Sequence, residues 1–396
     1  MVLDLASAIL CSVSALIILS NSILMLLASL SRARPLELNR SGVQPKVEVA
    51  IVVPAYREGP FIHYVIQSLK EVNYPKNYLK LAIVGEEDDT ETYWEIAKLC
   101  DIRSEHIDCG GIRGVYLVNT SGERGKPAAL NFALKHVDAD VIGFYDAEDL
   151  IHPEHVSIAV ELLEDSSVAA VQFVRKMARI PGALGEAQAA DFYFYYMVLQ
   201  PFLMRYTGLT EICGSAFFIK SSLLKEAGGF NTNSPAEDLD LTYRLGALGL
   251  KVLLALPHST TRPIASTSSL IKQRARWIRG GILSIPTGLG AAPRSIPLML
   301  VTGFMPITTI TSSLTLLLGV VALLTGSTLT LSKYAIVALV FACVLGAASV
   351  LVSNFGKTRM LRYLAVMSFV YYLASLRALV ELFTSPRSWT KSQSKA

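Results

Sequence analysis

The chain has 396 residues, 52% of them hydrophobic and only 17% charged. Soluble domains of average composition carry about 25% charge, so an ordinary soluble enzyme and a disordered chain are both excluded. The net charge of +4 is too small to predict a nucleic-acid surface and reads instead as basic residues beside a membrane.

Leu5–Ser31 contains no charged residue, and a membrane span needs roughly 20 apolar residues. Asp4 precedes this run, and Arg32, Arg34 and Arg40 follow it. That pattern predicts an uncleaved anchor rather than a signal peptide, with the residues after it on the cytoplasmic side. The organisation expected is an anchor over 1–31, a polar linker over 32–46, an α/β domain over 47–285, a membrane region over 286–385 and a polar tail over 386–396. Five scattered cysteines without a CxxC pair predict neither zinc nor a disulfide framework, and reduced thiols suit a cytoplasmic face.

Within the α/β domain, Val47–Pro54 is a nearly continuous apolar run, the pattern of a buried parallel strand. A helix is predicted over Gly59–Val72, then a strand over Leu79–Gly85 that runs into Glu86, Glu87, Asp88 and Asp89. A helix at Tyr93–Leu99, a strand at Gly114–Val118 and a helix from Pro127 to His136 follow. The strand Ala139–Tyr145 ends at Asp146, Ala147, Glu148 and Asp149. Further on come a strand at Val168–Val174, a long aromatic helix at Gly185–Met204, a short strand at Ala216–Ile219 and a helix at Glu237–Leu248. Acids thus gather where strands end, the place where open α/β sheets bind ligands.

Three groups carry chemistry. Asp146 and Glu148 follow an apolar strand as Asp-x-Glu, which places two carboxylates on one side of an extended chain. They suit a hard cation such as Mg2+ or Mn2+, although acids also favour the first turn of a helix. Glu237-Asp238 opens a helix, where a carboxylate serves as a general base or as an ordinary acidic cap. In Gln273-Arg274-Ala275-Arg276-Trp277, Gln273 and Arg276 share a helix face and Trp277 offers a flat apolar plate. The same basic segment also suits a headgroup-facing surface. His152 and His155 beside the acids are not read as a metal pair, and Phe192–Tyr196 reads as helix packing, with a sugar platform kept open by its place before Cys213-Gly214-Ser215.

In this order and spacing, the three groups resemble the membrane-embedded family 2 glycosyltransferases, the cellulose, chitin and hyaluronan synthases and their bacterial glucan-synthase relatives. The family pattern of D, DxD, (T/E)D and QxxRW is matched by the acids at Glu86–Asp89, by Asp146-Ala147-Glu148, by Glu237-Asp238 and by Gln273, Arg276 and Trp277. Cys213-Gly214-Ser215 is similar to the family's acceptor-site turn, and Pro386–Lys391 to a P-x-x-W-x-K tail. The resemblance implies a GT-A-like, Rossmann-like α/β domain inserted between transmembrane helices. It places Tyr56 of VPAYRE against the nucleotide base, with Glu58 of the same motif in the substrate-binding set. Either Glu86 or Asp88 reaches the uracil or ribose, and Lys126 reaches the diphosphate. Asp146 and Glu148 hold Mg2+ or Mn2+, and Asp238 is the base. Cys213, Gly214, Ser215, Glu237, Gln273, Arg276 and Trp277 position acceptor and diphosphate.

The chain departs from the pattern at Arg57, where the family has Asn, at Gly85-Glu86-Glu87 in place of Asp-Asp-Gly, at Glu148 in DxE, and at Ala236 in place of Thr. The implied activity is inverting, metal-dependent transfer from a UDP-sugar onto a β-linked glycan at the cytoplasmic membrane face, processive by virtue of QxxRW. Single-sugar transfer to a membrane lipid or lipid-linked glycan is the main alternative, and a silent scaffold or nucleotide-sugar sensor is another. A multi-pass cell-membrane protein is expected, with later spans near Thr308–Leu324, Ala335–Val352 and Tyr363–Phe383. In the last of these, Arg377 and Glu381 would pair, snorkel or lie at the interface.

Overall fold

The computed structural model describes residues 19–20, 22–38, 46–178, 181–304, 307, 310–311 and 359–385. Its centre is a mixed nine-stranded sheet. In chain order the strands are β1 (Val49–Pro54), β2 (Leu79–Gly85), β3 (Asp101–Arg103), β4 (His106–Asp108), β5 (Arg113–Val118), β6 (Val141–Phe144), β7 (Val168–Met177), β8 (Phe217–Lys220) and β9 (Lys251–Thr261). Their spatial order is β3-β4-β5-β2-β1-β6-β8-β7-β9. The strands β5, β2, β1 and β6 are mutually parallel. β8 then runs antiparallel between β6 and β7. Reversal at β8 brings the segment before it to the carboxyl ends of the parallel strands.

Both faces of the sheet are covered, as parallel strands require. Val49, Ile51 and Val53 of β1 point into one core, with α2 (Ile62–Lys70) and α5 (His155–Leu163) packed over it. Val52 points into the other, against α4 (Lys126–Leu134) and α9 (Glu237–Ala247). Adjacent side chains of a strand face opposite ways, so a strand buried on both sides is apolar throughout. The apolar helix α1 (Ser22–Ser31) reaches the second core through Ala28.

Several expectations change. Cys100 and Cys109 are joined by a disulfide, against the prediction of reduced thiols. They flank β3 and β4, two three-residue strands too short and polar to show in the sequence pattern, and β4 pairs antiparallel with β5. The expected long helix is broken into α6 (Ala183–Phe194), a π-helical turn at Tyr195–Leu199 and α7 (Gln200–Thr207). The 32–46 linker is partly docked, since Leu36 exchanges backbone hydrogen bonds with Leu254 and Leu256 of β9. Helix α3 (Thr90–Ala97) is capped by the buried Asp89, which accepts from the Thr92 amide.

Beyond the sheet lie α8 (Ser221–Glu226), α10 (Thr267–Leu283), α11 (Ile285–Gly290), α12 (Ile296–Met299) and α13 (Arg359–Thr384). Helix α10 packs along α13 through Ala275 and Ile278 against Ala374 and Ala378. Among the described residues one helical segment, Val366–Thr384, is long and apolar enough to cross a membrane. Most of the expected first anchor and the expected spans at Thr308–Leu324 and Ala335–Val352 lie outside the described residues, so the multi-pass arrangement stays an expectation. Arg377 pairs with Glu381 at 2.7 Å within α13, which settles one of the three roles open to those charges.

Candidate active site

The carboxyl ends of β1, β2 and β6 and the N-terminus of α9 converge on one acidic surface. At its centre is Lys126, the first residue of α4. Its Nζ donates to Asp146 Oδ1 at 2.5 Å and to the Gly214 carbonyl at 2.7 Å. Burial alone would lower its pKa, but the carboxylates of Asp146, Glu237 and Asp238 overcome that and hold the ammonium charged. Gly214 lies at φ +74°, and a Cβ there would sit 2.9 Å from Asp238 Oδ2. One face of Asp238 is therefore kept clear by a missing side chain, while its Oδ1 accepts from the Leu239 amide at 2.9 Å.

Glu237 and Asp238 open α9, where the helix N-terminus favours anions. Burial and then the neighbouring Asp238 push the Glu237 carboxyl up to about 7, and its Oε2 has no hydrogen-bond partner. Burial also raises Asp238, opposed by Arg276 and Lys126. Arg276 comes from α10 and donates to the Pro235 carbonyl at 3.0 Å, at the entrance to α9. Three predicted groups (Lys126 with Asp146, Glu237-Asp238, and Arg276) are thus brought together by four different elements, α4, the end of β6, α9 and α10.

Asp146–Asp149 is not extended, as the Asp-x-Glu spacing suggested. It folds as a turn closed by the Asp149 amide on the Asp146 carbonyl at 3.1 Å. Fully buried Asp149 accepts from Arg175 at 3.0 and 3.1 Å and from the Ser215 hydroxyl. Ser215 in turn accepts from the Asp146 amide at 2.9 Å. Ser215 therefore holds the turn rather than facing an acceptor. Asp146 and Glu148 are both partly exposed, Asp146 beside Lys126. Burial first, then Asp149, Asp146 and Glu58, raise the Glu148 carboxyl to about 7. Crowded hard oxygens that resist ionising together fit a divalent cation. No three His, Cys, Asp or Glu side chains among the described residues form a metal cage, so such a cation would take ligands from substrate or water as well.

At the end of β2, the Tyr56 hydroxyl donates to Asp88 Oδ2 at 3.1 Å, and Arg124 lies 3.6 Å from the same atom. Two predicted nucleotide contacts are therefore adjacent. Glu86 instead accepts from Asn119 at 3.1 Å, and the backbone of Glu58 is held by Thr92 at 2.9 Å. Asp89 has no free role, since it caps α3 and binds the Arg57 amide.

Cys213, Gln273 and Trp277 make other contacts. The Cys213 thiol donates to the Glu211 carbonyl at 3.3 Å. Gln273 accepts from Arg274 at 3.1 Å, and the Trp277 ring carries the Arg274 guanidinium 4.0 Å from its centroid, so one face of the plate is covered. Buried His155 is held between the Tyr145 hydroxyl at 2.7 Å and the Pro257 carbonyl at 3.0 Å, and burial lowers its pKa to about 3. It is structural. Sequence reasoning missed Arg175, Arg274, Glu211 and Gln172, the last of which accepts from the Cys213 amide at 2.8 Å. Gln172, a lone amide within the apolar run of β7, and Arg274, inside the basic-aromatic segment already singled out, carry a local signal.

Residues 45–280 match the family described as "Glycosyltransferase like family 2". A β-monoglucosyldiacylglycerol synthase of Synechocystis sp. is 26% identical over 260 residues, 64% of this chain and 52% of that protein. The UDP-forming cellulose synthase 1 catalytic subunit of Komagataeibacter xylinus is 24% identical over 251 residues, 59% of this chain and 31% of that protein. The chain spans about half the length of the glycolipid-forming relatives it matches. The mannosyltransferase PcManGT of Pyrobaculum calidifontis, solved with GDP-Man and Mn2+, superposes with a TM-score of 0.63 over 96% of this chain and 99% of that one. At 20% identity that likeness shows the GT-A-like fold alone.

Proposed function

The chain belongs to glycosyltransferase family 2, a family of inverting GT-A enzymes, and from that premise we propose that it transfers glucose from UDP-glucose to a hydroxyl of a membrane lipid. The observation that carries the reading is the meeting of Lys126, Asp146, Gly214 and Asp238 at the carboxyl ends of the parallel strands. The donor and the glycerolipid acceptor are suggested by the names of the relatives. A lipid acceptor also suits α10, which carries Arg276 towards Asp238 and packs on the apolar helix α13.

The Asp238 carboxylate takes the proton of the acceptor hydroxyl, whose oxygen bonds to the anomeric carbon as the bond from that carbon to phosphate breaks. The electron pair leaves with UDP, and an α-linked donor gives a β-linked product. The charges of Arg276 and Lys126 both act on the carboxylate pair, and the two cations offset charge that develops on the diphosphate. Asp146 and Glu148 would hold Mg2+ or Mn2+, which supplies further positive charge to the leaving group. Tyr56 and Asp88 receive the nucleoside end of the donor.

A second reading, extension of a β-glucan, is favoured by Trp277, 37% exposed in the QxxRW segment, and by the cellulose synthase relatives. Membranes containing the protein, supplied with radiolabelled UDP-hexoses, Mn2+ and diacylglycerol, separate the two. A singly glucosylated lipid supports the first reading and long glucan chains support the second. UDP binding without transfer from any UDP-hexose contradicts both.

A further inference from the structure

Arg274 is the least expected residue of the QxxRW segment. It is fully buried although it lies between two surface-accessible members of the motif, and it is not one of the motif's defining positions. Its Nη2 donates to Asp191 Oδ2 on α6 at 2.9 Å. The Tyr371 hydroxyl of α13 donates to that same oxygen at 3.2 Å. The guanidinium stacks 4.0 Å from the Trp277 centroid, approaches Tyr371 at 5.7 Å, and donates through Nη1 to Gln273 at 3.1 Å. One cation therefore touches both outer members of the motif, Gln273 and Trp277, and is fixed by one carboxylate that also binds the membrane-type helix.

This arrangement is costly. Burying a guanidinium exacts a desolvation penalty that paired hydrogen bonds only partly recover, and Arg274 Nε has no hydrogen-bond partner. An apolar residue would fill the same site between helices at lower cost. What the arginine adds is direction, since a planar cation over an indole fixes the ring's tilt and a donor on Gln273 fixes its amide.

We propose that Arg274, held by Asp191 and Tyr371, is a positioning residue that orients Trp277 and Gln273 to receive the acceptor, so that the seating of α13 sets acceptor affinity. The inference rests on the reading that Trp277 and Gln273 meet the acceptor. Arg276 and Asp238 lie outside this contact set, so donor binding and the chemical step are spared when it is broken. Tyr371→Phe removes only the hydroxyl, and Arg274→Lys keeps the charge while losing the flat stack.

The test measures steady-state transfer to dioleoylglycerol in phosphatidylcholine vesicles, UDP affinity, and Trp277 emission in a Trp94→Phe/Trp389→Phe background. Tyr371→Phe and Arg274→Lys are expected to raise the acceptor KM about 5- to 10-fold, with kcat and UDP affinity within about twofold. Both should also shift the Trp277 emission, and Trp277→Ala should raise the acceptor KM at least as much. If Trp277→Ala raises that KM while Arg274→Lys and Tyr371→Phe leave it and the emission unchanged, the positioning role is refuted. A general loss of kcat and UDP affinity in the two conservative variants refutes it too, by showing a merely structural role. If Trp277→Ala leaves the acceptor KM unaltered, the acceptor reading of the motif falls and this inference with it.

Discussion

Gly214 and Glu211 show how single positions bear on Asp238. Gly214 combines a left-handed φ of +74° with a Cβ position 2.9 Å from Asp238 Oδ2. Gly214→Ala should therefore cost about 1–2 kcal/mol of stability from backbone strain alone and reduce transfer by crowding the carboxylate. Thermal melting and initial rates check both effects, and full activity would show that the space beside Oδ2 is unused. Glu211 supports a pH prediction. Burial first, and the Asp238 charge next, push its carboxyl up to about 8, against an opposing hydrogen bond from Tyr195. Its folded pKa lies above its unfolded one, so its contribution to stability is complete below about pH 4.5 and is lost as pH rises towards 8. A neutral amide escapes that loss. The melting temperature of Glu211→Gln minus that of the parent should grow by a few degrees between pH 5 and pH 8, whereas a flat difference would remove Glu211 from the ionising set.

At the scale of elements, the contact between α10 and the entrance to α9 is the joint on which the site depends. A Cβ at Gly280 would lie 2.5 Å from the Ala236 Cβ, so the helix sits as close as two small residues allow. This accounts for alanine where the family pattern has threonine. Overpacking at such a joint costs about 1–3 kcal/mol and would draw Arg276 from the Pro235 carbonyl. Gly280→Ala should thus lose both stability and transfer, and adding Ala236→Gly should restore much of each. Failure of that rescue in melting and rate assays would place the cost elsewhere. The strands β1, β2 and β6 were legible in the sequence because burial on both faces leaves uninterrupted apolar runs. β9 was not, since Pro257 and His258 interrupt its run and half of its positions are only partly buried. The acids at 146–149 were legible as chemistry, but not the turn they form. That turn is fixed by Arg175 and Ser215, 26 and 66 residues further on from Asp149, and contacts at such separation leave no local pattern.

For the whole molecule, the described elements form a transferase domain whose active surface is linked through α10 to an apolar helix. Two buried arginines of α10 make that link, Arg274 through Asp191 to Tyr371 and Arg279 to Glu381 at 2.6 Å. This places the residues proposed to meet the acceptor beside the one helical segment among the described residues that is long and apolar enough to cross a membrane. The account stands on Asp238 acting as the base that this assembly presents to the acceptor hydroxyl. The most direct measurement is transfer from UDP-glucose by purified Asp238→Asn, set beside its affinity for UDP by calorimetry. A positioned general base contributes on the order of 100- to 10,000-fold, so transfer should fall by at least about 100-fold while UDP affinity stays within about threefold. An asparagine variant that binds UDP and transfers glucose at the parental rate would contradict the account.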